Sequence, residues 1–209
     1  MTFTELQTRA TALAAFEGWA DQSPAPDYAY FVNQAYREFA ASAETTRDNE
    51  EIATVSGTAE YTTAKSWLKL FNAVYDTASA KSPVRPSSEA YEAMLNPSWR
   101  EQSGGTPVRF VRVAMNKIAL VPPPNAVKTL RIYGVRQPTA MSSGSDVPDS
   151  IPDAYHEAIA NRAAYLIGKQ FAEGDAIARL QDYEMKYQQA VQACRAAIGG
   201  SWRRAEVIE

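Results

Sequence analysis

The chain has 209 residues, 45% of them hydrophobic, with 21 Lys and Arg against 24 Asp and Glu for a net charge of −3. That length suits one well-buried core, since domains usually run to ~100 to 200 residues, and the charge provides no global positive field of the kind that drives nucleic-acid binding, although a local patch escapes such a count. The single cysteine, Cys194, cannot close an intramolecular disulfide; no stretch approaches the ~20 apolar residues that cross a bilayer, and the opening MTFTELQ has no basic-then-apolar leader, so synthesis in a reducing cytoplasm is expected and an integral membrane protein is not.

Thr4-Glu5-Leu6-Gln7 has the form of a capping box and predicts a helix over residues 4–17, with Leu6, Ala10, Leu13 and Ala14 as its apolar stripe. Gly18 and the segment from Asp21 to Pro26 break it. A second helix, 27–43, follows from Phe31, Val32, Ala35, Phe39 and Ala43, with Asn33, Arg37 and Glu38 turned away. A β-rich block is then expected over about 51–135. In it, Ile52 to Val55 and Ala59 to Thr63 read as a hairpin around Gly57-Thr58. Trp67 to Tyr75 reads as strand, and Ser79 to Pro86 as loop because Pro83 and Pro86 remove amide donors. Ser87 or Ser88 caps a short helix, 87–95, which Asn96-Pro97 stops. Ser103-Gly104-Gly105 marks a turn. Val108 to Ala114 and Ile118 to Val121 form a hairpin around Met115-Asn116-Lys117, ended by Pro122-Pro123-Pro124. Thr129 to Val135 alternates as a half-buried strand.

Ser150-Ile151-Pro152-Asp153 combines a cap residue, a first-turn proline and a carboxylate at the positive end of a helix dipole. It predicts a helix over 152–173 with the stripe Tyr155, Ile159, Ala163, Ile167 and Phe171, ended by Gly174. Asp175 restarts the chain, and Leu180, Tyr183, Tyr187, Val191, Cys194 and Ile198 predict a partner helix over 175–198, antiparallel to the first. Gly199-Gly200 is expected to end it, leaving a tail over 199–209. The elements together predict an α+β fold: a helical bundle of N-terminal helices plus the C-terminal helical hairpin, with a β-rich insertion of short antiparallel strands, as a single domain over 1–198.

No catalytic constellation is visible. His156, the one histidine, excludes a histidine cluster, and its place beside Glu157 early in a helix reads as solvated or capping. Cys194 lies on an apolar stripe and reads as a small core residue. Asp146, Asp149 and Asp153 could supply oxygen ligands to a hard cation, but they lack the alternation and distal glutamate of an EF-hand loop, and loop or cap duty explains them. There is neither GxGxxG nor GxxxxGK[ST], so no nucleotide cofactor is indicated. Arg109, Arg112, Lys117, Arg131 and Arg136 read as solvated strand charges or as a stripe for an acidic partner. The tail carries Trp202, Arg203, Arg204, Val207 and Ile208, more apolar surface than a solvated terminus needs. It reads either as a segment lying on its own domain or disordered, or as a docking arm with an aromatic anchor and flanking arginines.

The segments Phe31-Val32-Asn33-Gln34-Ala35-Tyr36-Arg37-Glu38-Phe39, Val55-Ser56-Gly57-Thr58-Ala59-Glu60-Tyr61, Leu120-Val121-Pro122-Pro123-Pro124 followed by Leu130-Arg131-Ile132-Tyr133-Gly134, and Ile151-Pro152-Asp153-Ala154-Tyr155-His156-Glu157-Ala158-Ile159 resemble, in order and spacing over roughly residues 1 to 197, the head-to-tail adaptor (connector) proteins of tailed bacteriophages. The resemblance implies a structural virion protein rather than an enzyme, without a cofactor or catalytic residues. It implies a homo-oligomer, a dodecameric ring between the portal protein and a downstream neck or tail protein, that lengthens the DNA channel without binding DNA specifically. It places the chain at the head–tail interface of the virion, away from membranes, with the C-terminal residues Trp202, Arg203, Arg204, Val207 and Ile208 engaging portal or subunits. Two other readings stay open: a neck or tail-completion protein one layer further from the portal, and a small metal-dependent hydrolase using the three aspartates.

Overall fold

The computed structural model describes the backbone of residues 1–21, 24–76, 81–171 and 176–205, with all their side chains except those of 171, 176–178 and 199–205. The described residues form five α-helices and one seven-stranded mixed sheet, an α+β architecture. They gather into two compact units. A helical unit comprises Met1–Thr46 and Pro138–Glu209, and a β unit comprises Arg47–Gln137.

The helical unit contains α1 (Phe3–Phe16), α2 (Tyr28–Ala43), α4 (His156–Phe171) and α5 (Ala176–Ala205). The cap of α1 is Thr2, not Thr4: Thr2 Oγ1 accepts the Glu5 amide at 3.3 Å and Glu5 Oε2 accepts the Thr2 amide at 2.8 Å. The shift has a cause, because the carbonyls of Asp146 and Gly144 take the Phe3 and Thr4 amides and so fix the first turn. Asp27 caps α2 through the Tyr30 amide, and Glu44 ends it in the left-handed region at φ 56°.

Helix α4 packs against α1, α2 and α5. Buried alanines at 158, 160, 163 and 164 let three neighbours approach, while Ile159 and Ile167 fill the space between them. At Gly168 a Cβ would meet the Trp19 ring at 2.5 Å, so only glycine admits that indole against α4. The loop before α4 is tied down by polar side chains. Asn33 exchanges two hydrogen bonds with the Met141 backbone at 2.8 and 2.9 Å, and the Tyr36 hydroxyl accepts the Asp149 amide at 2.9 Å.

Two further expectations for this unit are corrected. Ser150 is not a cap: it sits at φ 61° in the preceding loop, and a 3-10 turn over Asp153–Tyr155 leads into α4 at His156. Gly199-Gly200 does not end the last helix, which runs on to Ala205; the ~1 kcal/mol that each glycine costs a helix is not enough to stop one already propagating. The terminator and restart expected at Gly174 and Asp175 lie outside the described residues.

The β unit orders its strands β1-β7-β3-β4-β5-β6-β2, with β1 (Arg47–Ala53), β2 (Glu60–Thr62), β3 (Trp67–Asp76), β4 (Lys81–Ser87), β5 (Arg109–Ala114), β6 (Lys117–Val121) and β7 (Thr129–Arg136). A short helix, α3 (Glu89–Leu95), joins β4 to β5. The expected hairpin at Gly57-Thr58 is corrected, since β1 pairs with β7 and β2 with β6, at opposite ends of the strand order. Nor are all strands antiparallel, because β4 runs parallel to β5.

The segment from Lys81 to Pro86 is strand, although its prolines argued for loop. Its first half pairs only with β3, at Pro83↔Val74, and its second only with β5, at Pro86↔Phe110, so each proline sits on a stretch with one open flank where a missing amide is tolerated. Trp67, Tyr75, Phe110, Ile118, Leu120, Leu130 and Ile132 form the main core. A smaller cluster, Trp99 over Val111, Ala119 and Val121, covers the other face of the β5–β6 hairpin. Gly134 in β7 lies against the irregular stretch of β3, where a Cβ would meet the Lys69 carbonyl at 2.2 Å. Among the described residues no helix is long and apolar enough to cross a membrane.

Candidate docking surfaces

Helix α3 is built with its polar side inward. Ser88 caps it through the Tyr91 amide at 3.2 Å, and its one buried residue is Glu92, 1% exposed. Arg109 on β5 grips that carboxylate with Nε to Oε1 at 2.6 Å and Nη2 to Oε2 at 3.0 Å, and Ser87 Oγ donates at 2.5 Å. Burial alone would raise the Glu92 pKa, but the hydrogen bonds from Arg109 and Ser87 and the guanidinium charge outweigh it and hold the group below its ordinary range. Pinning the glutamate inward turns Tyr91, Met94 and Leu95 to solvent, Met94 at 74% exposure. An exposed apolar cluster on an ordered helix marks an interaction surface more readily than scattered apolar residues do. Arg100 beside it stacks over Trp99 at 4.5 Å and pairs with Glu60 and Glu89.

On the helical unit, a shallow groove runs along α1, lined by Thr4, Thr8, Thr11, Ala12, Ala15 and Tyr28. Gln7 completes a lining that carries no charged side chain. Phe16, 82% exposed, follows Ala15 at the end of α1, and Tyr30 is exposed on the first turn of α2.

The sequence-predicted residues fall as follows. Trp202, Arg203 and Arg204 lie on the last turns of α5 by backbone, and Val207 and Ile208 are outside the described residues. His156 is fully buried, which corrects its reading as solvated. Its Nε2 donates to the Ile151 carbonyl at 2.9 Å, its Nδ1 lies 2.6 Å from the Met1 nitrogen, and Asp153 Oδ1 is 3.5 Å from the ring. Cys194 is buried, and burial raises its thiol pKa, so it is not poised as a nucleophile. Asp146 accepts the Ser142 and Ser143 amides through Oδ2 at 2.7 and 2.8 Å, which holds its carboxylate below the usual range. Among the described residues no group of three His, Cys, Asp or Glu is placed to hold a metal. The strand arginines are engaged within the β unit: Arg109 by Glu92, Arg131 by Glu51, Arg136 by Asp48, Lys117 by Glu60, and Arg112 by the Leu68 carbonyl at 2.8 Å.

One electrostatic feature is hidden by the whole-chain count. Residues 47–137 carry twelve Lys and Arg against eight Asp and Glu, a net charge of +4, whereas the rest of the chain carries nine against sixteen, a net charge of −7. Sequence reasoning missed this, and missed the outward apolar face of α3, though it gave the helix itself over 87–95, because both require knowing where one unit ends and which side of a short helix is buried.

Comparison with known proteins gives one family. The profile of the SU10 adaptor protein family matches residues 1–206. No curated protein matches the chain.

Proposed function

The chain belongs to the SU10 adaptor protein family, a family of phage head–tail adaptors, and from that membership we propose that it forms a ring between portal and tail that joins head to tail and extends the DNA channel. The family is structural rather than enzymatic, and its adaptors work in the virion with portal and tail proteins. The observation that carries the reading is a match spanning nearly the whole chain, both units included. In this reading residues 1–198 are the adaptor body, a helical bundle with a β-rich insertion, and 199–209 the docking tail. Trp202, Arg203, Arg204, Val207 and Ile208 engage the portal, Trp202 following one helical turn after Ile198, which is partly buried against the helical core.

The test is to delete residues 199–209 and measure binding to purified portal together with thermal stability. The expected result is loss of portal binding at an unchanged melting temperature. Portal binding that survives the deletion contradicts the tail's role. A large stability loss shows instead that the segment packs on its own unit.

A further inference from the structure

The α3 face and the charge division between the units answer one question together, namely what covers Tyr91, Met94 and Leu95. The β unit that carries them is basic, at +4, and the helical unit is acidic, at −7. Two β units approaching each other repel, as do two helical units, while a β unit and a helical unit attract. Charge therefore selects contact between unlike units of two copies. When each copy gives one face to one neighbour and receives the other from a second, the contact is heterologous, and heterologous contacts generate rings when the rotation closes.

The apolar surfaces agree with that selection. Helix α3 presents a three-residue apolar ridge held outward by the buried Glu92–Arg109 pair. The helical unit offers the uncharged groove of α1, whose alanine and threonine side chains leave room for a ridge and which ends at the exposed Phe16. An amphipathic helix laid in a groove is a recurrent recognition mode. Arg100 pairs with Glu89 on α3, and Arg85, two residues before Ser87 at the end of β4, has an exposed side chain. Their charge is opposite to the net charge of the helical unit that carries the groove.

We propose that α3 of one copy docks into the α1 groove of a second copy of this chain, so that each subunit gives one face and receives the other. The proposal rests on the reading of the protein as a ring component and names the surfaces that would build the ring.

The test uses the full chain and two variants. Met94→Glu places a carboxylate on the ridge, facing an acidic partner, and Ala12→Arg fills the groove and faces a basic one; both positions are exposed in the subunit. Leu95→Glu serves as a second ridge variant if Met94→Glu melts early. Sedimentation velocity is run on each protein and on a one-to-one mixture of the two variants, from dilute solution to the highest soluble concentration. The expected results are assemblies for the unaltered chain that weaken as salt rises, monomers for each variant alone with unchanged melting, and a dimer with nothing larger in the mixture, because one intact ridge meets one intact groove. An unaltered chain that stays monomeric throughout, a variant that assembles like it, or a mixture that remains monomeric overturns the proposal. Failure of the underlying reading looks different: the chain would assemble through these faces yet be missing from phage particles.

Discussion

The helical unit buries charged side chains of both signs, whereas the β unit buries a carboxylate. In the helical unit the side chains of Glu17 and Glu44 are each 5% exposed and pair with Arg179 and Arg195, and the Arg162 side chain, 16% exposed, lies between Glu38 on α2, at 2.7 Å, and Glu184 on α5, with its guanidinium over the rings of Tyr165 and Tyr187 at 4.6 and 4.8 Å. In the β unit the anion is inside, Glu92 clasped by Arg109 and Ser87. Two carboxylates flank the arginine in the acidic unit, and one guanidinium covers the glutamate in the basic one. The contrast teaches that a whole-chain charge near zero can conceal two surfaces of opposite sign.

The comparison is sharpened first by the cores. Trp67→Ala in the β unit should cost ~3 to 5 kcal/mol, because the indole is 1% exposed within the main cluster of the sheet. Ile159→Ala in the helical unit should cost ~2 to 5 kcal/mol, Ile159 being fully buried between the helices. Denaturant melts followed by near-ultraviolet and far-ultraviolet circular dichroism measure both. A change below ~0.5 kcal/mol at either site means that the residue is not core.

A smaller effect, ~1 to 3 kcal/mol, is expected for Glu92→Gln, which leaves Arg109 without its charged partner. Its pH dependence follows from the lowered pKa of Glu92. A carboxylate depressed in the folded state stabilises above its unfolded pKa of ~4.3 and loses that contribution as pH falls through the folded value. The stability gap between the parent chain and Glu92→Gln should therefore be full near neutrality and close as pH drops below ~4. A gap that widens on acidification would falsify the assignment. Smallest is Thr2→Ala, which removes the cap of α1 at a cost of ~0.5 to 2 kcal/mol, whereas Thr4→Ala should do little by comparison.

The helices were largely legible because their signal is local. Ile159, Ala163 and Ile167 recur at helical spacing, and the structure buries all three. The sheet was legible only strand by strand. Its order sets β1 beside β7 and β2 beside β6, pairings that no window of neighbouring residues encodes. Prolines disguised β4, because the rule against proline in a sheet presumes partners on both flanks. His156 was misjudged for a related reason: its helix position is readable, but the neighbouring elements that bury it are not. The outward face of α3 was invisible for the converse reason, since a glutamate in a short helix ordinarily signals the solvated side.

The most direct test of the adaptor reading is quantitative mass spectrometry of purified phage particles, taking the copy number of this chain relative to the portal subunit. A ratio near one is expected for a ring seated on the portal. Absence of the chain from mature particles would contradict a place at the head–tail junction.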